Sequence, residues 1–230
     1  MLWSKPVKEE LSLSYHLKAL HATDLATIIR FLPTLLARIL STLTTTVSGD
    51  VAINAIKTLL HFVWQVTSAG KVSLLRHFVQ RLFRVDYSLS RLLIDKKASR
   101  LVATIHDEIV ANLVGFVRHI GASNVQDVAQ TIRLLNSCWF FLEIALKSLC
   151  IHKIQCQSSL RTSSSVSGSI QSPLFSQELY SSLGNLYESL VELIAKNCVQ
   201  SQMGKDPEFV SACRLCNKSL AILQGFSKTL

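Results

Sequence analysis

Cys213 and Cys216, three residues apart, are the most chemically loaded pair in this sequence, followed by the run His106-Asp107-Glu108. Thiols at C-x-x-C spacing can supply half of a tetrahedral zinc site or cycle between dithiol and disulfide. Zinc needs four ligands, and no second pair lies at finger or ribbon spacing. Positions three apart share one helix face, so Cys213 and Cys216 read better as two small residues lining a helix contact. His106-Asp107-Glu108 could serve metal or acid–base chemistry. Yet no second histidine follows four residues on, and the two carboxylates suit a solvated helical face. The seven histidines are scattered singly, and the chain holds neither a Gly-rich phosphate loop nor a Gly-x-Ser-x-Gly elbow. No catalytic, cofactor-binding or metal-ligating set is complete, so an enzyme is not expected and no cofactor is implied.

Charge is the next handle. The chain carries a formal net charge of +9, and residues 71–100 hold eight basic side chains against Asp86 and Asp95, which leaves +6 in that stretch. Its candidate contact residues are Arg76, Arg81, Arg84, Arg91, Lys96 and Lys97. Arg76 and Arg84 lie two helical turns apart on one side, with Leu74, Leu75, Phe78, Val79, Leu82 and Phe83 able to form the buried side. The plain reading is a solvated face. The functional reading is contact with an acidic partner, either anionic lipid headgroups or an acidic neighbouring domain. Nucleic acid is disfavoured, because Phe78 and Phe83 point to the core side and leave no base-stacking platform.

These residues are placed by helices, since the punctuation along the chain is helical and strand signals are few. Asp24 is an N-cap type opening a helix to about Thr44, with Leu25, Ile28, Ile29, Leu32, Leu35, Leu36, Ile39, Leu40 and Leu43 on one face and Pro33 expected to kink it. Gly49-Asp50 opens a second helix to about Thr67, with the stripe Ile53, Ile56, Leu59, Leu60, Val63 and Trp64 and Gly70 as its stop. A third is expected over 72–85 and a longer pattern over 90–120. After the turn Gly121–Asn124 comes a helix carrying Trp139-Phe140-Phe141, expected to fade after His152. Two more follow, about 176–199 and 206–226, the last opened by Asp206 as N-cap, Pro207 at the first helical position and Glu208 in the first turn.

The expected fold class is therefore all-α, a HEAT/armadillo-like helical-repeat stack, without an exact sequence repeat. Its divisions are 1–22, a poorly defined N-terminal segment; 23–152, a helical-repeat region; 153–173, a Ser-rich disordered loop; and 174–230, a continuing helical region. Hydrophobic residues make up 49% and charged residues 17%, below the usual charged share of about 25%, as expected for a slice of a longer stack. Trp139, Phe140 and Phe141 point about 100° apart on a helix, so a structural core role between two neighbouring layers is expected for all three. Glu143 and Lys147 are spaced for an i,i+4 ion pair. The longest uncharged apolar runs fall short of about 20 residues, so no membrane span is expected. Lys5, Lys8, Glu9 and Glu10 at the start do not read as a signal peptide. The six cysteines then read as reduced residues of a cytoplasmic chain.

Three stretches resemble a known family. Trp139-Phe140-Phe141-Leu142-Glu143 with Lys147-Ser148-Leu149 is similar to a Trp-Phe-Phe-Phe-Glu…Lys-Ser-Met signature in the middle of dedicator-of-cytokinesis (DOCK) proteins, with Leu142 and Leu149 departing from it. Asp24 to Leu36 resembles the segment after that family's lipid-binding domain. Phe175 to Ile194 and Cys216 to Ala221 are similar to the helices after the Trp-Phe-Phe helix. The matches keep the family's order over roughly residues 20–230, while residues 1–19 match nothing. The resemblance implies a scaffold region of a Rho-family guanine nucleotide exchange factor, between a lipid-binding domain and an exchange domain absent from this chain. It implies as partners the parent protein's other domains, adaptors and, indirectly, a Rho-family GTPase. It transfers no active-site residue. The start at Met1 and the stop at Leu230 without a capping signal read as a fragment or a partial gene product. The alternative is a free-standing HEAT/armadillo-like adaptor that binds a partner protein in a concave groove.

Overall fold

The computed structural model describes residues 5–45, 48–83, 105–122, 128–162, 177–200 and 203–228. The helices are α1 (Lys5–Ala19), α2 (Leu25–Thr45), α3 (Gly49–Ser68), α4 (Val72–His77), α5 (Ile105–Ala122), α6 (Val128–Thr162), α7 (Gln177–Gln200) and α8 (Pro207–Lys228). Short 3-10 turns follow α1 and precede α8, and among the described residues no strand occurs. The chain is an all-α stack, as its periodicity requires.

Local chemistry sets the helix ends. Asp24 accepts from the Thr27 backbone N–H at 2.9 Å and from the Thr27 hydroxyl at 2.7 Å, satisfying donors that the first turn of α2 leaves open. Asp206 accepts from the backbone of Glu208 at 2.8 Å and Phe209 at 3.2 Å, with Pro207 first in α8. Gly70 stops α3 at φ +71°, where the Lys71 N–H reaches the Val66 carbonyl at 3.0 Å and the Gly70 N–H reaches Thr67 at 2.9 Å. That pair of bonds is a Schellman cap, and its left-handed residue is glycine because a Cβ would crowd the carbonyl. Pro33 lies inside α2, which continues through it.

Packing arranges the helices in three layers. α2 and α3 pair in the first layer, α5 and α6 in the second, and α7 and α8 form the third, with α7 seated on α5 and α8 on α6. α3 touches α1, α2, α5 and α6, so its buried arc exceeds the expected stripe and takes in Val51, Ala52, Ala55, Phe62 and Val66. Polar ties cross the layers: Asn112 donates to the Leu43 carbonyl, and Arg118 donates to the Ser189 hydroxyl, both at 3.2 Å.

Several expectations are corrected. The segment 1–22 is helical over Lys5–Ala19, with Leu17 buried and its carbonyl accepting from Thr58 at 3.0 Å. The Trp-Phe-Phe helix runs on to Thr162 instead of fading after His152; the rest of the expected loop, 163–173, lies outside the described residues, as does the turn at Ser123-Asn124. The helix expected over 72–85 is α-helical only to His77, then widens into a π turn over Phe78–Leu82, closed by the Phe83 N–H on the Phe78 carbonyl at 2.7 Å. The inserted residue rotates the register, which turns Leu82 outward at 44% exposure and brings Phe83 in. Two stretches, Leu25–Leu43 and Val128–Ile151, are long and apolar enough to cross a membrane by length and composition. Uncharged runs do not reveal them, because each tolerates isolated charges; the second lies in the middle layer.

Candidate functional site

The Trp-Phe-Phe segment sits on α6 in the middle layer, where α3, α5 and α8 surround it. Phe140 and Phe141 are fully buried and meet edge to face at 5.9 Å, a geometry that suits their ring quadrupoles. Trp139 is only half-buried, packed on the rim of the core. Its ring turns toward α4, where the Arg76 guanidinium lies 5.9 Å from its centroid. Three consecutive helical residues sweep a wide arc, and the neighbours of α6 cover two of the three directions. The core placement expected of Trp139 is thus corrected to a rim placement.

Arg76 also faces Glu143. Burial raises the Glu143 carboxyl above its ordinary range, and the Arg76 charge opposes that rise. Lys147 donates to the Gln80 carbonyl at 3.4 Å, so it reaches the π turn. Arg76, the first of the six candidate contact residues, is thereby partly engaged within the fold. Arg81 is exposed on the π turn. Arg84, Arg91, Lys96 and Lys97 lie outside the described residues, so of the six the structure places only Arg76, on α4, and Arg81, on the π turn that follows it.

The cysteine pair has partners that its spacing could not reveal. Cys216 faces the buried Cys138 of α6, and this contact together with burial raises the Cys138 thiol well above its ordinary value. Burial, then Cys198 and Cys216, push Cys213 up to about 11. A raised pKa keeps Cys138 and Cys213 protonated at neutral pH, whereas metal ligation and nucleophilic attack need the thiolate; the Cys138 hydrogen bond holds Cys216 in the opposite direction. Among the described residues no group of three or more histidine, cysteine or carboxylate side chains could hold a metal. His106 is buried, with Nδ1 3.2 Å from the Ser148 hydroxyl across the α5–α6 contact.

Two further features lack a sequence signature. α7 and α8 diverge beyond their turn and flank an open groove of about 290 Å³, lined by Tyr187, Leu190, Val191, Ile194, Cys213 and Leu220, among others. On the opposite side of the stack, His21 and His61 stack at 4.8 Å beside Arg133, whose guanidinium lies 4.3 Å over Trp64. Both imidazoles titrate below the ordinary histidine value, His21 through burial and then His61, Lys57 and Arg133, and His61 through burial and Arg133.

Comparison with known proteins gives a consistent answer. The family described as "DOCK6-11, TPR domain" matches residues 17–225. Dedicator of cytokinesis protein 9 of Homo sapiens is 28% identical over 141 residues, covering 61% of this chain and 6% of that protein. The Mus musculus protein of the same name shows the same figures. Dedicator of cytokinesis protein 11 of Danio rerio is 29% identical over 136 residues, covering 58% of this chain and 6% of its own length. No solved structure matches the chain. The chain thus spans about 6% of the length of these relatives.

Proposed function

Because the chain belongs to the DOCK6-11 TPR-domain family, we propose that it is a non-catalytic helical scaffold segment of a Rho-family guanine nucleotide exchange factor. It acts in small-GTPase signalling in the cytoplasm. The single observation carrying this reading is the family match over 17–225, which coincides with a continuous three-layer stack. In it the Trp-Phe-Phe helix is structural: it ties the first layer to the third, so its apolar volume serves packing. The exchange reaction belongs to the parent protein's other parts. The scaffold holds those parts in register and offers surfaces to adaptors, with Arg76 and Arg81 as contacts toward an acidic neighbour or lipid surface.

The test has two arms. In a fluorescent-nucleotide release assay the purified chain should leave the intrinsic release rate of Rho-family GTPases unchanged; clear stimulation would overturn the non-catalytic reading. Mixed with the flanking segments of the parent exchange factor, the chain should associate with them and restore exchange to the exchange domain's level in the intact protein. Failure to associate would sink the scaffold reading. The open α7–α8 groove favours a second reading, a free-standing adaptor that binds an apolar helix. That reading requires the chain to bind such a helix while ignoring the flanking segments.

A further inference from the structure

Lys57, His61 and Trp64 recur at helical spacing on one face of α3, and all three are half-buried. The His21 ring, in the turn after α1, stacks on His61 at 4.8 Å with 18° between the planes. Arg133 of α6 covers the Trp64 ring at 4.3 Å. Three elements thus converge on a strip with four basic groups. Among the described residues neither Lys57 nor Arg133 meets a carboxylate, and the charges felt by His21 and His61 are all positive. Among the described residues no acidic side chain offsets this cluster. Surface cations normally spread apart or pair with acids, and here packing holds them together.

We propose that His21, Lys57, His61 and Arg133 form a receptor site for a phosphoryl group carried on a side chain of a protein partner. The donor set matches that group. Arg133, already oriented by the Trp64 face, offers a planar fork, Lys57 a point charge, and each protonated imidazole its Nδ1–H, because Nε2 of His21 meets the Thr58 hydroxyl at 3.3 Å and Nε2 of His61 meets Gln65 at 3.5 Å. Together these are more donors than a carboxylate's two oxygens can use. A phosphomonoester carries about two negative charges and three acceptor oxygens, and its second ionisation lies near that of imidazole. Arrival of the dianion reverses the field on His21 and His61, so both take up protons and add their attraction. Lys57, His61 and Arg133 lie half-buried and His21 exposed where the turn after α1 meets α3 and α6, a recess better suited to a protruding side chain than to a flat bilayer surface. This site is separate from Arg76 and Arg81 and does not rest on the scaffold reading.

The test uses the full 230-residue chain and reads the Cε1–H resonances of its seven histidines against pH. Titrations run in inorganic phosphate, in O-phosphoserine, and in chloride at matched ionic strength. The midpoints of His21 and His61 should rise by about one unit in phosphate and in O-phosphoserine relative to chloride, which corresponds to about tenfold tighter binding to the protonated form. The other histidines should stay in place. Arg133→Gln and Lys57→Gln should each cut O-phosphoserine affinity about tenfold with the circular dichroism spectrum unchanged. No selective rise at His21 and His61 in the unmodified chain overturns the proposal, whatever the variants do. So does equal movement of all exposed histidines, which marks general screening. Binding to vesicles of phosphatidylcholine with phosphatidylinositol 4-phosphate, without response to O-phosphoserine, also overturns it in favour of a membrane contact.

Discussion

At Trp139 and Phe140, neighbours in sequence, the chain meets two different environments. Phe140 has no exposed surface, whereas Trp139 lies on the rim with Arg76 over its ring. Phe140→Ala should therefore cost about 3–5 kcal/mol, the range for deleting a buried aromatic. Trp139→Ala should cost about 1–2 kcal/mol, from partial burial and a modest cation–π contribution. Urea midpoints of the two variants check the order; a costlier Trp139→Ala would mean that the indole is sealed from water. The stacked imidazoles set a pH dependence. Their folded pKa values lie below the ordinary 6.5, so below that pH the unfolded chain takes up protons that the folded chain resists. Their contribution is complete above about pH 6.5 and is lost as pH falls through the folded values. Thermal midpoints should fall between about pH 7 and pH 5, and His21→Gln with His61→Gln should flatten that slope. A parent chain with no slope in that window would refute the assignment.

At the scale of elements, the ends are set by single residues. Asp206→Ala removes two bonds to the first turn of α8 and should cost about 0.5–2 kcal/mol, seen as a lower thermal midpoint. At Gly70 an added Cβ would meet nothing within 4 Å, so the cost of Gly70→Ala is conformational. It should be about 1–2 kcal/mol from the left-handed backbone alone. A neutral result would mean that the end of α3 relaxes to another cap. These signals were readable in advance: Asp24, Gly70 and Asp206-Pro207 act through neighbours a few residues away. The π turn at Phe78–Leu82 was not, since a one-residue widening leaves the apolar spacing almost intact while moving Leu82 from inside to outside.

On the scale of the molecule, α5 and α6 are covered by α2 and α3 on one side and by α7 and α8 on the other. A chain ended at residue 162 would uncover the faces of α5 and α6 that α7 and α8 now pack on, Cys138 among them. In a stack whose layers contact only their neighbours, stability is close to a sum of layer and interface contributions. The shortened chain should lose the third layer's share and run as an aggregate or an expanded species on size-exclusion chromatography. A compact, monomeric product with a parental melting midpoint would show that the third layer contributes little to the first two. The full chain should melt in one transition if the layers are coupled as drawn.

What the sequence determined by itself is whatever depends on local spacing: the all-α class, most helix starts and stops, and the family resemblance. Apolar periodicity and capping act over a few residues, so they are legible without a fold. The tertiary structure alone decided which directions around each helix are covered, because that depends on neighbours distant in sequence. It put Trp139 on the rim while burying Phe140, set Cys216 against Cys138, and joined His21 and His61 with Arg133 from a third element. No spacing rule links residues 21, 61 and 133; only the packing of α1, α3 and α6 holds those charges together.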